Sequence, residues 1–306
     1  MPPVLDDAVC IRHWDWSETS QTVTLLTRMH GVVRGLAKGS KRPKSPFSGG
    51  IELLSRGAAG LILRPSSELA LISEWDLSQS FPALRESLAA YHAALYFADL
   101  TQQFVHDHDA HPALFDGLVL ALNLLRSDEP VWRAVVGFQW TLLREAGFRP
   151  ELFLDVRTGE ALDHPEPTEP GETPSPADAH PAGDRTATYL FDPEGGGLAG
   201  PETAARAARS TGAPAGVWKV RASTIDFLRA LAQSTPGDVL PPPTDPQSVE
   251  RAARLLGSGL TAKEIAAQLN LSIKTVSTYR TRALSKLGLQ RTGELIAYGV
   301  RRGLGA

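Results

Sequence analysis

A chain of 306 residues, 42% apolar and 21% charged, is long enough for two or three domains of ordinary size, each with its own core. No apolar run is long enough to span a bilayer, and the start, MPPVLDDAVC, carries acidic residues where a signal peptide needs a basic flank, which argues against membrane and export roles. The single cysteine, Cys10, excludes an internal disulfide and a zinc site of several thiolates, and it fits a reducing cytoplasm.

The net charge of −3 is unevenly spread. From Gln247 to Ala306 ten Lys and Arg face three Glu, a net +7, whereas from Thr158 to Gly212 ten acidic residues face three Arg, a net −7. A basic tail beside an acidic linker points to nucleic acid at the tail.

Residues 8 to 76 read as short strands: Ala8 to Trp16, Thr22 to Thr27, Gly31 to Ala37, Gly50 to Leu54, Ala59 to Leu63 and Leu69 to Trp75, with Gly, Ser and Pro turns between them. Such a series predicts a small barrel. Along and after the third strand run the cations Arg34, Lys38, Lys41, Arg42 and Lys44, among Gly35, Gly39, Pro43 and Pro46. Proline cannot donate to a strand ladder, so the basic run is expected as an exposed loop, either a surface for a phosphate backbone or a plain solvated loop. Trp14, Trp16 and Phe47 are candidates for stacking bases; the ordinary alternative is that a strand tryptophan belongs to the core.

The order of Thr27-Arg-Met-His-Gly31, then Val32-Val-Arg-Gly-Leu-Ala-Lys-Gly39, then a basic Pro-Lys-Ser segment resembles the amino-terminal domain of the bacterial recombination mediator family RecO. The resemblance runs from about Asp7 to about Ala232. It implies an OB-fold here, followed by a helical domain, in a protein that binds single strands, anneals complementary ones and helps load the recombinase. Two partners are implied with it, RecR and the single-strand DNA-binding protein.

From Phe81 the apolar period becomes helical. Leu84, Leu88, Tyr91, Leu95 and Ala98 form one stripe, Leu114, Leu118, Ala121 and Leu125 a second, and Val131, Val135, Phe138 and Leu142 a third, which predicts a compact bundle. The loop His106 to His111 is rich in imidazoles and carboxylates, but alternating positions before Pro112 have no fixed scaffold, so a solvated connection is preferred to a metal site. By the RecO resemblance, Arg133 and Arg144 on the third bundle helix are the expected anchors for the acidic tail of the single-strand DNA-binding protein, the alternative being two solvated arginines.

At Pro150-Glu-Leu the RecO family usually begins a four-cysteine zinc module. Here the expected thiolate positions hold Asp155, Thr158, Gly200 and Thr203, so neither structural zinc nor any cofactor is expected. The acidic, Pro-rich insert at about 160–188 cannot bury enough apolar surface to order itself. Val217 to Ala232 reads as the last helix of this part, and a Pro-rich linker follows at 236–246.

The segment Leu260 to Gly288, LTAKEIAAQLNLSIKTVSTYRTRALSKLG, closely resembles the helix-turn-helix of LuxR-type regulators. Thr261 and Glu264 suit a capping box, Asn270 and Leu271 a turn, and Ser272 the cap of the second helix. By that resemblance Ser277, Thr278 and Thr281 lie where base edges are touched, whereas Lys263, Lys274, Thr275, Arg280, Arg282 and Lys286 are placed for phosphates. Tyr279 departs from the histidine common there. Short hydroxyls discriminate bases weakly, so sequence specificity is expected to be low. The last helix, Thr292 to Arg302, either pairs two copies in a homodimer through Ile296, Tyr298 and Val300 or completes the core.

The sequence therefore reads as an α+β multidomain protein: an N-terminal OB-fold β-barrel that binds single-stranded DNA (1–80), a central all-α bundle with a degenerate zinc module (81–235), a linker (236–246) and a C-terminal helix-turn-helix (247–306). No catalytic motif is visible, so it is not expected to be an enzyme. The leading function is a repair and recombination mediator in the cytoplasm, at the nucleoid; the rival is a LuxR-type transcriptional regulator with a RecO-like N-terminal module.

Overall fold

The computed structural model describes residues 3–47, 49–64, 67–156, 158–162, 188–192, 196–200, 218–234, 241–243 and 246–258. They fall into two compact units, one of residues up to Gly147 and one from Phe148 on.

The first unit opens with five strands, β1 Val4–Asp15, β2 Gln21–Thr27, β3 Gly31–Ala37, β4 Arg56–Ile62 and β5 Ala70–Gln79. They close a barrel in the order β1-β2-β3-β5-β4, antiparallel throughout except for the parallel pair β3 and β5, with β1 pairing both β2 and β4. This closed five-strand barrel is OB-fold-like, and it removes the free edges an open sheet would expose. Alternation fills its interior: Val23 and Leu25 from β2, Val33 and Ala37 from β3, Ala59 and Leu61 from β4, Ile72 and Trp75 from β5 all lie in one buried cluster. A side chain at Gly35 would meet Ile72 Cδ1 at 2.5 Å, so a larger residue there would force the buried Ile72 side chain to shift.

The expected strand Gly50 to Leu54 does not form. Gly49 (φ 90°) and Gly50 (φ 127°) turn the chain, and the backbone of Ile51 is bonded by a side chain rather than by a neighbouring strand. Phe47 is buried in the barrel core, which removes it from the candidates for stacking bases.

After a short 3-10 turn at Pro82–Glu86 come three helices, α1 Leu88–Phe104, α2 Pro112–Leu124 and α3 Val131–Glu145. The Ser87 hydroxyl caps α1 by accepting from Ala90 N at 3.3 Å, and Pro112 opens α2, where a missing N–H costs nothing. Phe97 of α1 and Phe138 of α3 pack with ring centroids 4.6 Å apart. Bundle and barrel are joined by a forked ion pair, Arg28 Nε and NH2 donating to both oxygens of Asp116 at 3.1 and 2.9 Å. The stretch after α1 lies along β3: His108 N donates to Val32 O at 3.0 Å. Gly31 (φ 65°) has the Asp109 carbonyl oxygen only 2.0 Å from where a Cβ would sit, so no other residue fits there.

The second unit is not all-helical as expected. It holds a three-stranded antiparallel sheet, β6 Thr188–Asp192, β7 Gly197–Ala199 and β8 Trp218–Arg221, in the order β7-β6-β8, followed by α4 Ala222–Gln233 and α5 Pro246–Ser258. Within the expected helix Val217 to Ala232, Trp218 to Arg221 are strand instead, because they pair with β6. Residues 160–162, taken as the start of the insert, are paired too: Asp155 N donates to Glu160 O and Leu162 N to Phe153 O. The insert's bulk, 163–187, lies outside the described residues, as do most of the linker and the whole segment from Gly259 onward.

Candidate nucleic-acid interface

The loop between β3 and β4 is held at several points. Gln21, buried at the start of β2, accepts from Ser40 Oγ and from Ile51 N, both at 3.0 Å, while its Nε2 donates to Ile51 O at 3.3 Å. Ser20 Oγ accepts from Gly39 N at 3.0 Å, and Ser45 Oγ donates to Ser40 O at 2.8 Å. The Phe47 ring is anchored in the barrel core, and Trp75 N donates to Pro46 O at 2.9 Å. Lys41 N donates to Thr19 O at 3.1 Å, which ties the loop to the β1–β2 hairpin. Such a loop presents its side chains from a fixed frame, so little ordering entropy remains to oppose binding.

The structure places Arg34 within β3 and Lys38, Lys41, Arg42 and Lys44 on the loop after it, and separates the five cations into two kinds. Lys38, Arg42 and Lys44 are exposed, and among the described residues no ion pair engages them. Lys41 Nζ lies 2.5 Å from Asp15, and Arg34 Nε 3.3 Å from Asp107, so these two cations already have anionic partners. Sequence reading missed Gln21, whose polar side chain is the hub of the loop. It also missed the two pairing carboxylates, which are distant in the chain.

The other expected sites fare differently. Arg133 pairs with Glu129 at 3.1 Å and Arg144 Nε with Glu145 at 3.1 Å, both arginines largely covered. Eleven residues apart on α3, they share a face but are separated by about 16 Å, so a single carboxylate cannot meet both. The Arg144 NH2 is buried with no hydrogen-bond partner among the described residues. Lys263, Lys274, Thr275, Ser277, Thr278, Arg280, Thr281, Arg282 and Lys286 lie outside the described residues, as does the Thr292 to Arg302 helix.

At the expected thiolate positions, buried Asp155 accepts from Thr158 N at 3.1 Å through one oxygen and from Gly200 N at 2.6 Å through the other. One carboxylate thus links three of the four positions; Thr203 lies outside the described residues. Nearby, buried Arg229 donates to Leu152 O at 2.8 Å and Tyr189 Oη at 2.9 Å and lies over the Tyr189 ring.

Residues 1–81 match the family model for the recombination protein O N terminal, and residues 85–180 that for its C terminal. A DNA repair protein RecO of Anaeromyxobacter sp. (strain Fw109-5) is 30% identical over 246 residues, 80% of this chain and 84% of that protein. The chain belongs to the RecO family. Family members named DNA repair protein RecO from Rhodopirellula baltica (38% identical over 143 residues, 47% of this chain) and Anaeromyxobacter dehalogenans (34% over 151 residues, 49% of this chain) also match. These alignments span only 53% and 59% of the two RecO proteins. Residues 252–298 match a further model, bacterial regulatory proteins of the luxR family, so this RecO family member carries a helix-turn-helix DNA-binding domain at its C-terminal end. No helix among the described residues is long and apolar enough to cross a membrane.

Proposed function

We propose that this protein is a non-enzymatic DNA repair and recombination mediator that binds single-stranded DNA on the basic loop of its barrel and promotes strand annealing and recombinase loading. The observation that carries this reading is the pinned loop between β3 and β4, from which Lys38, Arg42 and Lys44 stand out unpaired toward solvent. Membership of the RecO family supports it. RecR and the single-strand DNA-binding protein are the proposed protein partners, the cytoplasm at the nucleoid is the proposed place, and the helix-turn-helix adds a duplex contact through residues such as Arg280 and Lys286.

The match of residues 252–298 favours a second reading, a LuxR-type regulator in which the RecO-like part is an input or docking module. An annealing assay with complementary oligonucleotides, run beside a duplex titration, separates the two. The mediator accelerates annealing at stoichiometric protein. A protein that binds one promoter tightly and never anneals strands is the regulator.

A further inference from the structure

Strand β1 carries a bulge between Cys10 and Arg12: Cys10 pairs with Leu25, but Arg12 pairs with Thr24, so Ile11 is the extra residue. Without it, Arg12 and Trp14 would share the inward face of Ala8 and Cys10 and fall opposite Val23 and Gln21, both buried. With it, both turn outward. Pairing continues across β3, giving one cross-strand row Arg12–Thr24–Arg34 and a second Trp14–Thr22–Leu36. Trp14 is 51% exposed and Trp16 66% exposed, unusual for residues of their size.

The Trp14 ring is not loose. The Arg12 guanidinium lies 4.6 Å from the Trp14 ring centroid and donates to Gln102 on α1, so one face of that indole is held. Trp16 N donates to Ser20 O at 2.9 Å, which closes the backbone of the hairpin at this residue. Lys41 is bound to this same hairpin at Thr19 and Asp15, so the hairpin that carries the indoles is tied to the loop that presents Lys38, Arg42 and Lys44.

We infer that Trp14 and Trp16 form a base-stacking platform for single-stranded DNA whose phosphates run along the neighbouring basic loop. The inference rests on the single-strand reading above and deepens it. Trp14 lies on β1 and Trp16 just past its end at Asp15, in the bend of the hairpin. Exposed ring faces of this kind engage bases that have left their own stack, as in a single strand and unlike a duplex. Indole stacking is tolerant of sequence, which suits annealing of any complementary pair.

The test uses the full chain, an oligo-dT, and an abasic oligomer of equal length that keeps the phosphates. Trp14→Ala and Trp16→Ala should each weaken oligo-dT binding about tenfold. Their abasic affinity and salt slope should stay at the wild-type values, and Trp→Phe at either position should recover most of the loss. The ligand-induced quenching of tryptophan fluorescence should shrink in the Ala variants. Equal oligo-dT affinity in wild type and the double Ala variant overturns the platform, as does an equal loss on the abasic oligomer. A double variant that changes only the protein's self-association would assign the pair to a protein contact and overturn it too. Wild-type protein that binds no oligo-dT at all overturns the parent reading instead.

Discussion

Gln21 binds the backbone of Ile51 with both ends of its amide, accepting from the N–H at 3.0 Å and donating to the carbonyl at 3.3 Å, as a neighbouring strand would. A third bond, from Ser40, makes this one side chain the tie between β2 and the basic loop. Gln21→Leu keeps the volume and removes every partner. Leaving buried groups unsatisfied costs about 1–3 kcal/mol, so the denaturation midpoint should fall and the Ile51 amide should exchange faster. An Ile51 amide as protected as in wild type would show that the loop does not depend on this tie.

The two kinds of cation should separate in a salt titration. Lys38→Ala, Arg42→Ala and Lys44→Ala each remove a charge that displaces counterions from a single strand, so each should flatten the slope of log K against log salt by roughly 0.7. Lys41→Ala and Arg34→Ala should have smaller effects, because Asp15 and Asp107 already neutralise those cations. Equal flattening by all five would mean that both ion pairs open when DNA binds.

These residues also mark what the sequence revealed. Strand β3 was legible to the residue because Val33 and Ala37 face the core at the period of a strand. The bulge at Ile11 was not, because one inserted residue leaves no periodic trace, and simple alternation along β1 places Trp14 inside. The tryptophan in the barrel core is instead Trp75, on β5. Gln21 read as a turn residue, since nothing local shows that a polar side chain will meet a backbone thirty residues away. The strands of the second unit, Thr188–Asp192, Gly197–Ala199 and Trp218–Arg221, are too short for a period to show.

Cys10 should be inert at neutral pH. Complete burial in the barrel raises its thiol from 9.0 to about 12, outweighing a backbone hydrogen bond at Arg12 that lowers it. A disulfide-exchange reagent at pH 8 should therefore label it only after denaturation. The same shift sets a sign for stability. Below the unfolded value the thiol is neutral in both states and nothing is lost. From there toward about 12 the unfolded chain releases a proton that the folded one retains, so this group's contribution falls as pH rises. Labelling of native protein at the rate of denatured protein would contradict the burial.

Asp155 should tie the second unit together at three of the positions where thiolates were expected. Asp155→Ala leaves the N–H groups of Thr158 and Gly200 without these bonds, at a cost of about 1–3 kcal/mol for each group left buried and unsatisfied. Asp155→Asn, which retains one acceptor oxygen, should cost less. Chelator should leave the wild-type melting temperature unchanged, and elemental analysis should find no stoichiometric zinc. A chelator-sensitive melt would place a metal where this carboxylate now makes its bonds.

Truncation distinguishes the mediator from its tail, provided the cut respects α5. In α5, Val249, Ala252, Ala253 and Leu256 are buried along one face, and Arg251 donates to Thr224 at 3.1 Å and to Ser223 at 3.2 Å, both on α4. Ending the chain at Pro246 would uncover α4 and remove side chains whose burial contributes several kcal/mol, by roughly 1.5–3 kcal/mol for each large aliphatic one. A chain ending at Ser258 keeps these contacts while losing Lys263 to Lys286. The longer truncation should melt near the full protein, anneal complementary strands at a similar rate, and lose most duplex affinity. The shorter one should melt lower. In the full chain, Arg280→Ala and Lys286→Ala should each flatten the duplex salt slope by roughly 0.9 on every sequence, while Thr278→Ala should matter only at a preferred site. If the chain ending at Ser258 folds as stably as the full protein and yet fails to anneal, the helix-turn-helix is an integral part of the mediator rather than a separate duplex contact.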